Sequence, residues 1–447
     1  MSVTKKEEVV MDLAGPANGG TVIGRLDGQV VFVRGALPGE KEVTVELDPA
    51  RNTKAKKGFR SGVATNIGQP NPHRVAPLCP AAKVGAGCCN LDFVDAAGSL
   101  VYKKQVVMDQ LSRVGKISAE ALEKITVTAE SLHPFAGSRT RVRLAVDGEG
   151  KVGQRYRGSH NVVPVNNECA QWSAELKNGL AADIEQLREA GLLTPHSEIA
   201  VAVGDDGTRQ MVQLQGSPAN QRVAAFGDEL PTVTRTVHFG AGLDREFDVQ
   251  WESQVQDFWQ AHSAAPQFYS SWIARHIPPV AQGEKLQGER GKRNVAWDLY
   301  GGAGVFSAAL SRKVDHVVCV DVAGSASESG KKALATAGIG NVEFISGDVS
   351  RQVLSLPRSD DVHAVVLDPP RTGAGTQTVA DIAKARPRHV VHVGCDPATA
   401  ARDLGAWIRN GYEIKELCVV DAFGLNHHVE LLAHLVPVRG SRRERRS

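Results

Sequence analysis

Apolar runs that end in glycine- or proline-rich turns dominate the last third of the chain. Val295 to Leu299, His316 to Val320, Ala364 to Leu367 and His389 to Val393 are almost uninterrupted hydrophobic stretches. That pattern marks strands buried on both faces of a parallel sheet. Glycines at Gly301, Gly302 and Gly304, and Asp396-Pro397 after the last run, open helices behind the strands, so residues 241–447 are expected to form a doubly wound, Rossmann-like α/β domain. The amino terminus reads differently. Val22 to Val33 is a pair of strand-like runs around Asp27-Gly28, and Ala36 to Glu40 is a loop before a third run, Glu42 to Leu47. Short strands at that spacing predict a small β-barrel over residues 1–70. Between them, residues 71–240 carry a helical pattern at Val101 to Leu111 and strand-like runs at Arg141 to Val146, Asn161 to Val165 and Ile199 to Val203, which predicts a mixed α/β domain. Pro279 to Lys292, poorly patterned, reads as an exposed connection into the catalytic sheet.

Composition narrows the class without naming it. With 447 residues the chain is long enough for several cores, and 52 Lys and Arg against 50 Asp and Glu leave a net charge of only +2. Affinity for a polyanion must then come from local patches. Two candidates are Arg51 to Arg60, with Lys54, Lys56 and Lys57, and Arg439 to Arg446; either run alone could equally be a solvated loop or tail. No stretch has the apolar length of a membrane helix, and Lys5-Lys6-Glu7-Glu8 lacks a signal-peptide core, so a cytoplasmic enzyme is expected. Seven unevenly spaced cysteines point to reduced thiols with a few special roles rather than a disulfide scaffold.

The chemistry concentrates at the predicted carboxyl ends of the strands. Cys395 falls between a buried strand and a helix start, where backbone N–H groups favour a thiolate; a lone cysteine is more often a small core residue, and the neighbouring strand ends argue against that here. The turn Gly302-x-Gly304-x-x-Ser307 departs from the dinucleotide fingerprint, which leaves an adenosyl sulfonium a better ligand than NAD. Asp321, ending the next strand, can hold ribose hydroxyls. Asp368 opens the rigid sequence Asp368-Pro369-Pro370-Arg371, and Glu430 is an acid among apolar neighbours, costly to bury unless it works.

In order, Asp257-Phe258-Trp259-Gln260, Asp298-Leu299-Tyr300-x-Gly302-x-Gly304, Asp368-Pro369-Pro370-Arg371, Gly394-Cys395-Asp396-Pro397-Ala398-Thr399-x-Ala401-Arg402-Asp403-Leu404 and His428-Val429-Glu430 resemble the motifs of the RNA uracil-5-methyltransferase family. The amino-terminal strands resemble a TRAM domain, an RNA-binding barrel. The resemblance implies S-adenosylmethionine as methyl donor, RNA as partner, Cys395 as nucleophile and Glu430 as base, with His428 supporting it from the same strand face. Gln260, Tyr300, Gly302, Gly304, Asp321, Asp348 and Asp368 would surround the donor, Asp348 accepting from the adenine amino group. Phe258 and Trp259 would receive the flipped base or its neighbours, or simply pack in the core. Cys79, Cys88, Cys89 and Cys169 fall where many relatives carry a [4Fe–4S] cluster. Relatives show Cys-Gly-Gly-Cys where this chain has Gly85-Ala86-Gly87-Cys88; adjacent Cys88 and Cys89 chelate one cluster awkwardly, which leaves merely retained thiols as the competing reading. A monomer is expected. Of two rival classes, a cytosine-5 RNA methyltransferase lacks the terminal His-x-Glu, and an RNA-binding module would not need Cys395 and Glu430 together. Nothing in the motifs separates transfer RNA from ribosomal RNA.

Overall fold

The computed structural model describes residues 7–49, 58–217, 220–280, 293–356 and 361–438. Residues 51–57 of the basic run Arg51 to Arg60, the tail Arg439 to Arg446 and nearly all of the connection Pro279 to Lys292 lie outside the described residues, while Arg60 pairs with Glu7 at 2.6 Å. Three large sheets carry the fold, beside a two-stranded antiparallel sheet of Thr232–Phe239 and Phe247–Gln254. At the amino terminus six strands between Glu8 and Gln69 form one sheet, in which Thr21–Leu26 and Gln29–Arg34 are joined by a tight turn. Asp27 and Gly28 both have positive φ there, the geometry that Asp-Gly supplies to a hairpin. A second six-stranded sheet includes Arg141–Val146, Val162–Pro164 and Glu198–Val203, close to the runs the sequence predicts.

The third sheet has eight strands, in the order Val342–Ser346, His316–Asp321, Asn294–Leu299, Asp361–Leu367, His389–Gly394, Glu430–Pro437, Tyr412–Asp421 and Thr126–Ser131. Every pairing is parallel except those made by Glu430–Pro437, which runs antiparallel to both neighbours. Helices cover both faces, so Val390, Val391, Val393, Val365 and Val366 are all buried, which is why these strands read as continuous apolar runs.

One segment sits elsewhere than its place in the sequence suggests. The helix Ala96–Arg113 packs on the helix Pro397–Arg409, and Thr126–Ser131 extends the third sheet, although both fall within the stretch expected to form the middle domain. A buried ion pair between Lys103 and Asp421 ties that helix to the sheet, with Ser99 donating to the same carboxylate at 2.6 Å. Local periodicity predicts the helix but not its partner. The charges of Lys103 and Asp421, each buried, hold it there, because leaving either unpaired would cost several kcal/mol, roughly 3–5.

Candidate active site

Sheet topology brings the predicted residues together. A parallel sheet aligns the carboxyl ends of its strands, and Tyr300, Asp321, Asp368 and Cys395 each directly follow or close one. Glu430 begins an antiparallel strand, so its first residue lies at the same edge. Gly394 pairs with Leu431, and one further step of that register sets Glu430 beside Cys395. His428 is not on that strand, contrary to expectation: the strand starts at Glu430, and His428 lies in the preceding loop. There it accepts from Arg371 Nη2 at 3.2 Å, and burial next to His427 and Arg371 pushes its pKa down to about 3, so it is a neutral acceptor.

Three acids share the buried edge. Burial, reinforced by Asp368, holds Glu430 well above the usual carboxylate range, with Arg371 pulling the other way, and Glu430 Oε2 has no hydrogen-bond partner among the described residues. Asp368 is pushed up to about 7 by burial and by Asp298 and Asp321, and accepts from Gln260 Nε2 at 3.4 Å. Cys395 is pushed up to about 12 by burial, then by Glu430 and Asp368. The expectation of a ready thiolate is therefore corrected. Asp396, not Cys395, takes the helix-start amides, accepting from Ala398 and Thr399 at 3.0 and 2.9 Å, while desolvation and two nearby carboxyls oppose a second negative charge. Alkylation of Cys395 by iodoacetamide, followed by mass spectrometry, is accordingly slow at pH 7.5 and rises about tenfold per pH unit up to pH 10, because the thiolate fraction does. Rapid, pH-independent modification would contradict this electrostatic picture.

The donor-side residues form a second group. Gly302 N–H and Ala323 N–H donate to Asp321 at 3.0 and 2.7 Å, so this carboxylate organises the glycine turn. Gly304 caps the helix Val305–Leu310 at φ +71°, and a Cβ there would lie 2.7 Å from the Phe344 ring. A side chain at Gly301 would meet Cys319 Sγ at 2.6 Å, so the turn passes too close to the neighbouring strand for anything larger than glycine. Tyr300 holds φ +60° at the strand end. Asp348 is exposed and caps the helix Val349–Ser355, with Ser350 and Arg351 as partners. The aromatic pair divides: Trp259 packs against Trp251 in a core, whereas Phe258 is 69% exposed beside Arg141.

Several contributors were not predicted. Arg371 is placed by the helix after the cysteine: Thr399 donates to Arg371 O at 2.9 Å, Arg402 to Thr372 O at 2.8 Å, and Asp403 accepts from Ala374 N–H at 2.7 Å. Thr399, Arg402 and Asp403, read only as part of the cysteine motif, thus fix the Asp-Pro-Pro-Arg loop. Asp298, fully buried and accepting from Ser307 at 2.7 Å, is pushed up to about 6. Tyr269 buries a hydroxyl without a partner among the described residues, near Glu430 and Asp368. A buried apolar helix gives no sequence signal for that.

The four middle cysteines do meet. Their sulfurs all lie within 4.8 Å of one another, with Cys79 to Cys88 at 3.7 Å and Cys89 to Cys169 at 3.6 Å. Adjacency of Cys88 and Cys89 is no obstacle, because the loop turns between them. At Gly85 a cysteine would be strained: φ is +102°, and a Cβ would sit 2.9 Å from the Tyr156 ring. Cys89 takes the place of that thiol. The cluster also touches the reaction site's approach, since Asn426 donates to Cys88 O at 2.7 Å and Asn90 to His427 Nδ1 at 2.6 Å. Four thiols suit a soft metal centre. Such a group could hold a single tetrahedral zinc or an iron–sulfur cluster.

A largely parallel sheet thus brings a glycine turn and strand-end carboxylates to one edge with a cysteine and a glutamate. Sequence comparison makes this specific. The profile of the tRNA (uracil-5-)-methyltransferase family matches residues 286–436, and that of the TRAM domain residues 7–56. An uncharacterized RNA methyltransferase of Corynebacterium efficiens is 38% identical over 96% of this chain and 95% of its own length. The 23S rRNA (uracil(1939)-C(5))-methyltransferase of Methylococcus capsulatus is 27% identical over 96% of each chain. In fold, the chain is similar to the Pyrococcus abyssi tRNA (uracil-54, C5)-methyltransferase solved with S-adenosyl-L-homocysteine, with a TM-score of 0.64 and 20% identity over 96% of this chain and 99% of that one. The chain belongs to the RNA uracil-5-methyltransferase family. Among the described residues no helix is long and apolar enough to cross a membrane.

Proposed function

We propose that this enzyme uses S-adenosylmethionine to methylate carbon 5 of one uridine in a structured tRNA or 23S rRNA, through a transient bond between Cys395 and carbon 6. The observation that carries this reading is the register setting Glu430 beside Cys395 on the edge that also holds Asp368. Uracil carbon 5 is a poor nucleophile. Cys395 gives up its proton to solvent and adds to carbon 6, the ring electrons move to the carbon 4 carbonyl as an enolate, and carbon 5 then takes the methyl group, releasing S-adenosylhomocysteine. Glu430 removes the carbon 5 proton, the electron pair re-forms the 5,6 double bond, and Cys395 leaves as thiolate. One proton is released overall.

The electrostatics suit this order. Crowded acids tolerate few negative charges, so Glu430 stays protonated while Cys395 carries or shares one. Once the sulfur becomes a neutral thioether, that repulsion falls, Glu430 releases its proton to solvent and, as carboxylate, can act as the base; the departing thiolate is later reprotonated. Gln260, Tyr300, Gly302, Gly304, Asp321, Asp348 and Asp368 are read as the donor's surroundings, and Arg371 as a phosphate or carbonyl contact. The substrate is identified by mapping 5-methyluridine in cellular RNA with and without the gene: loss at one position names the RNA, and loss at none overturns the reading.

For Cys79, Cys88, Cys89 and Cys169 the family resemblance favours [4Fe–4S], and four convergent thiols also suit a single zinc. Either would hold the loop through Asn426 and His427 in place without entering methyl transfer. Protein purified without oxygen should be brown with close to four irons per chain, and Cys169→Ser should lose them. One zinc and no iron would establish the second reading; neither metal would leave four retained thiols.

A further inference from the structure

A pocket of about 620 Å³ opens beside the four cysteines, with Cys88 and Cys169 on its wall. It is unusual in a chain of net charge +2, because Arg139, Arg143, Arg155 and Arg157 line it and no carboxylate does. Glu198 is the nearest paired acid, 3.4 Å from Arg155 and 3.9 Å from Arg143, which leaves the arginines in excess. That charge suits phosphate. Gln154 adds a different demand: both its amide nitrogen and its amide oxygen are buried with no partner among the described residues. A buried, unpaired amide is costly unless a ligand pairs it, and one that can donate and accept side by side matches the edge of a nucleobase. Tyr156 completes the set, its backbone held by Asn161 and paired with Ala86 while its ring is 38% exposed. An anchored, open ring is a stacking platform.

The pocket continues the reaction site rather than standing apart from it. Arg139 bridges by backbone to His262, two residues past Gln260, and Asn426, in the loop that carries the Arg371 partner His428, donates to Cys88 O on the pocket wall at 2.7 Å, so the pocket and the reaction site share one stretch of backbone.

We infer that this pocket takes a second, unpaired nucleotide of the same RNA strand, near the target uridine, with its base stacked on Tyr156 and paired by Gln154 and its phosphates held by Arg155 and Arg157. This rests on the uridine-methylation reading. It means that the enzyme recognises two splayed nucleotides, one to react and one to set register, which is how single-stranded RNA is read in general.

The test uses full-length holoenzyme and RNA extracted from cells lacking the gene, with methyl transfer and filter retention of the same end-labelled RNA read in parallel. Tyr156→Ala and Gln154→Ala should each weaken RNA retention and raise KM for RNA about tenfold, with kcat and donor affinity within about twofold, and Tyr156→Phe should restore the wild-type value. Arg157→Ala should lower the slope of log affinity against log salt by about 1. Unchanged retention, KM and salt slope in a wild type that makes 5-methyluridine would overturn the pocket and leave the function standing. A wild type that makes none would overturn the function, while retention still decides whether the pocket holds RNA. Saturable binding of free AMP or UMP below millimolar, with RNA retention unaffected in the variants, would mark a mononucleotide site and also overturn it.

Discussion

Cys395→Ala abolishes methyl transfer while leaving S-adenosylmethionine binding intact. The reasoning is separable by residue. In the proposed mechanism Cys395 supplies the bond that makes carbon 5 nucleophilic, whereas the glycine turn and Asp321 belong to other strand ends and lose nothing when a small side chain is truncated at a half-buried position. Loss of a covalent nucleophile is worth at least about 10⁴-fold in rate, or roughly 5.5 kcal/mol of barrier. Single-turnover methylation with labelled donor, alongside donor binding by calorimetry, measures both halves. Residual turnover within a hundredfold of wild type would remove the covalent mechanism, and lost donor binding would show that Cys395 supports the fold of the donor site.

Glu430→Gln should have the opposite signature: addition and methyl transfer proceed, elimination stalls, and protein and RNA accumulate as one covalent species. Glutamine keeps the shape of the acid and, like the protonated form that burial and Asp368 favour, can donate and accept hydrogen bonds, so the fold and the first two steps are spared. It cannot take the carbon 5 proton. A band shifted by the mass of the RNA on a denaturing gel, labelled by the donor methyl and absent in the Cys395→Ala, Glu430→Gln double variant, is the expected result. Free methylated RNA released at the normal rate would assign proton removal to another group, with Tyr269 the nearest unpartnered one.

Much of this was legible because strand ends leave local marks. Glycine turns, Asp-Pro-Pro and Asp-Pro punctuate buried runs, and a parallel sheet converts those separate marks into one edge, so Tyr300, Asp321, Asp368 and Cys395 could be grouped from sequence alone. What stayed hidden depends on contacts between distant segments. The strand Thr126–Ser131 carries its own periodicity but nothing that names Tyr412–Asp421 as its partner. Sequence marks Cys395 as a helix-start thiol; only the packed site reveals that Asp396 takes the amides and that two carboxyls oppose its ionisation. Adjacent Cys88 and Cys89 look like a defect in a one-dimensional pattern, and a positive φ at Gly85 against Tyr156 shows the substitution to be accommodated. Gln154 has no motif at all, since an unpartnered amide is visible only when its surroundings are known.

The most direct test of the central claim is the identity of the product. Purified protein, labelled S-adenosylmethionine and RNA from cells lacking the gene are incubated, the RNA is digested to nucleosides, and these are separated by mass. The account predicts label in 5-methyluridine alone. Label in 5-methylcytidine, in a ribose-methylated nucleoside or in none would contradict it.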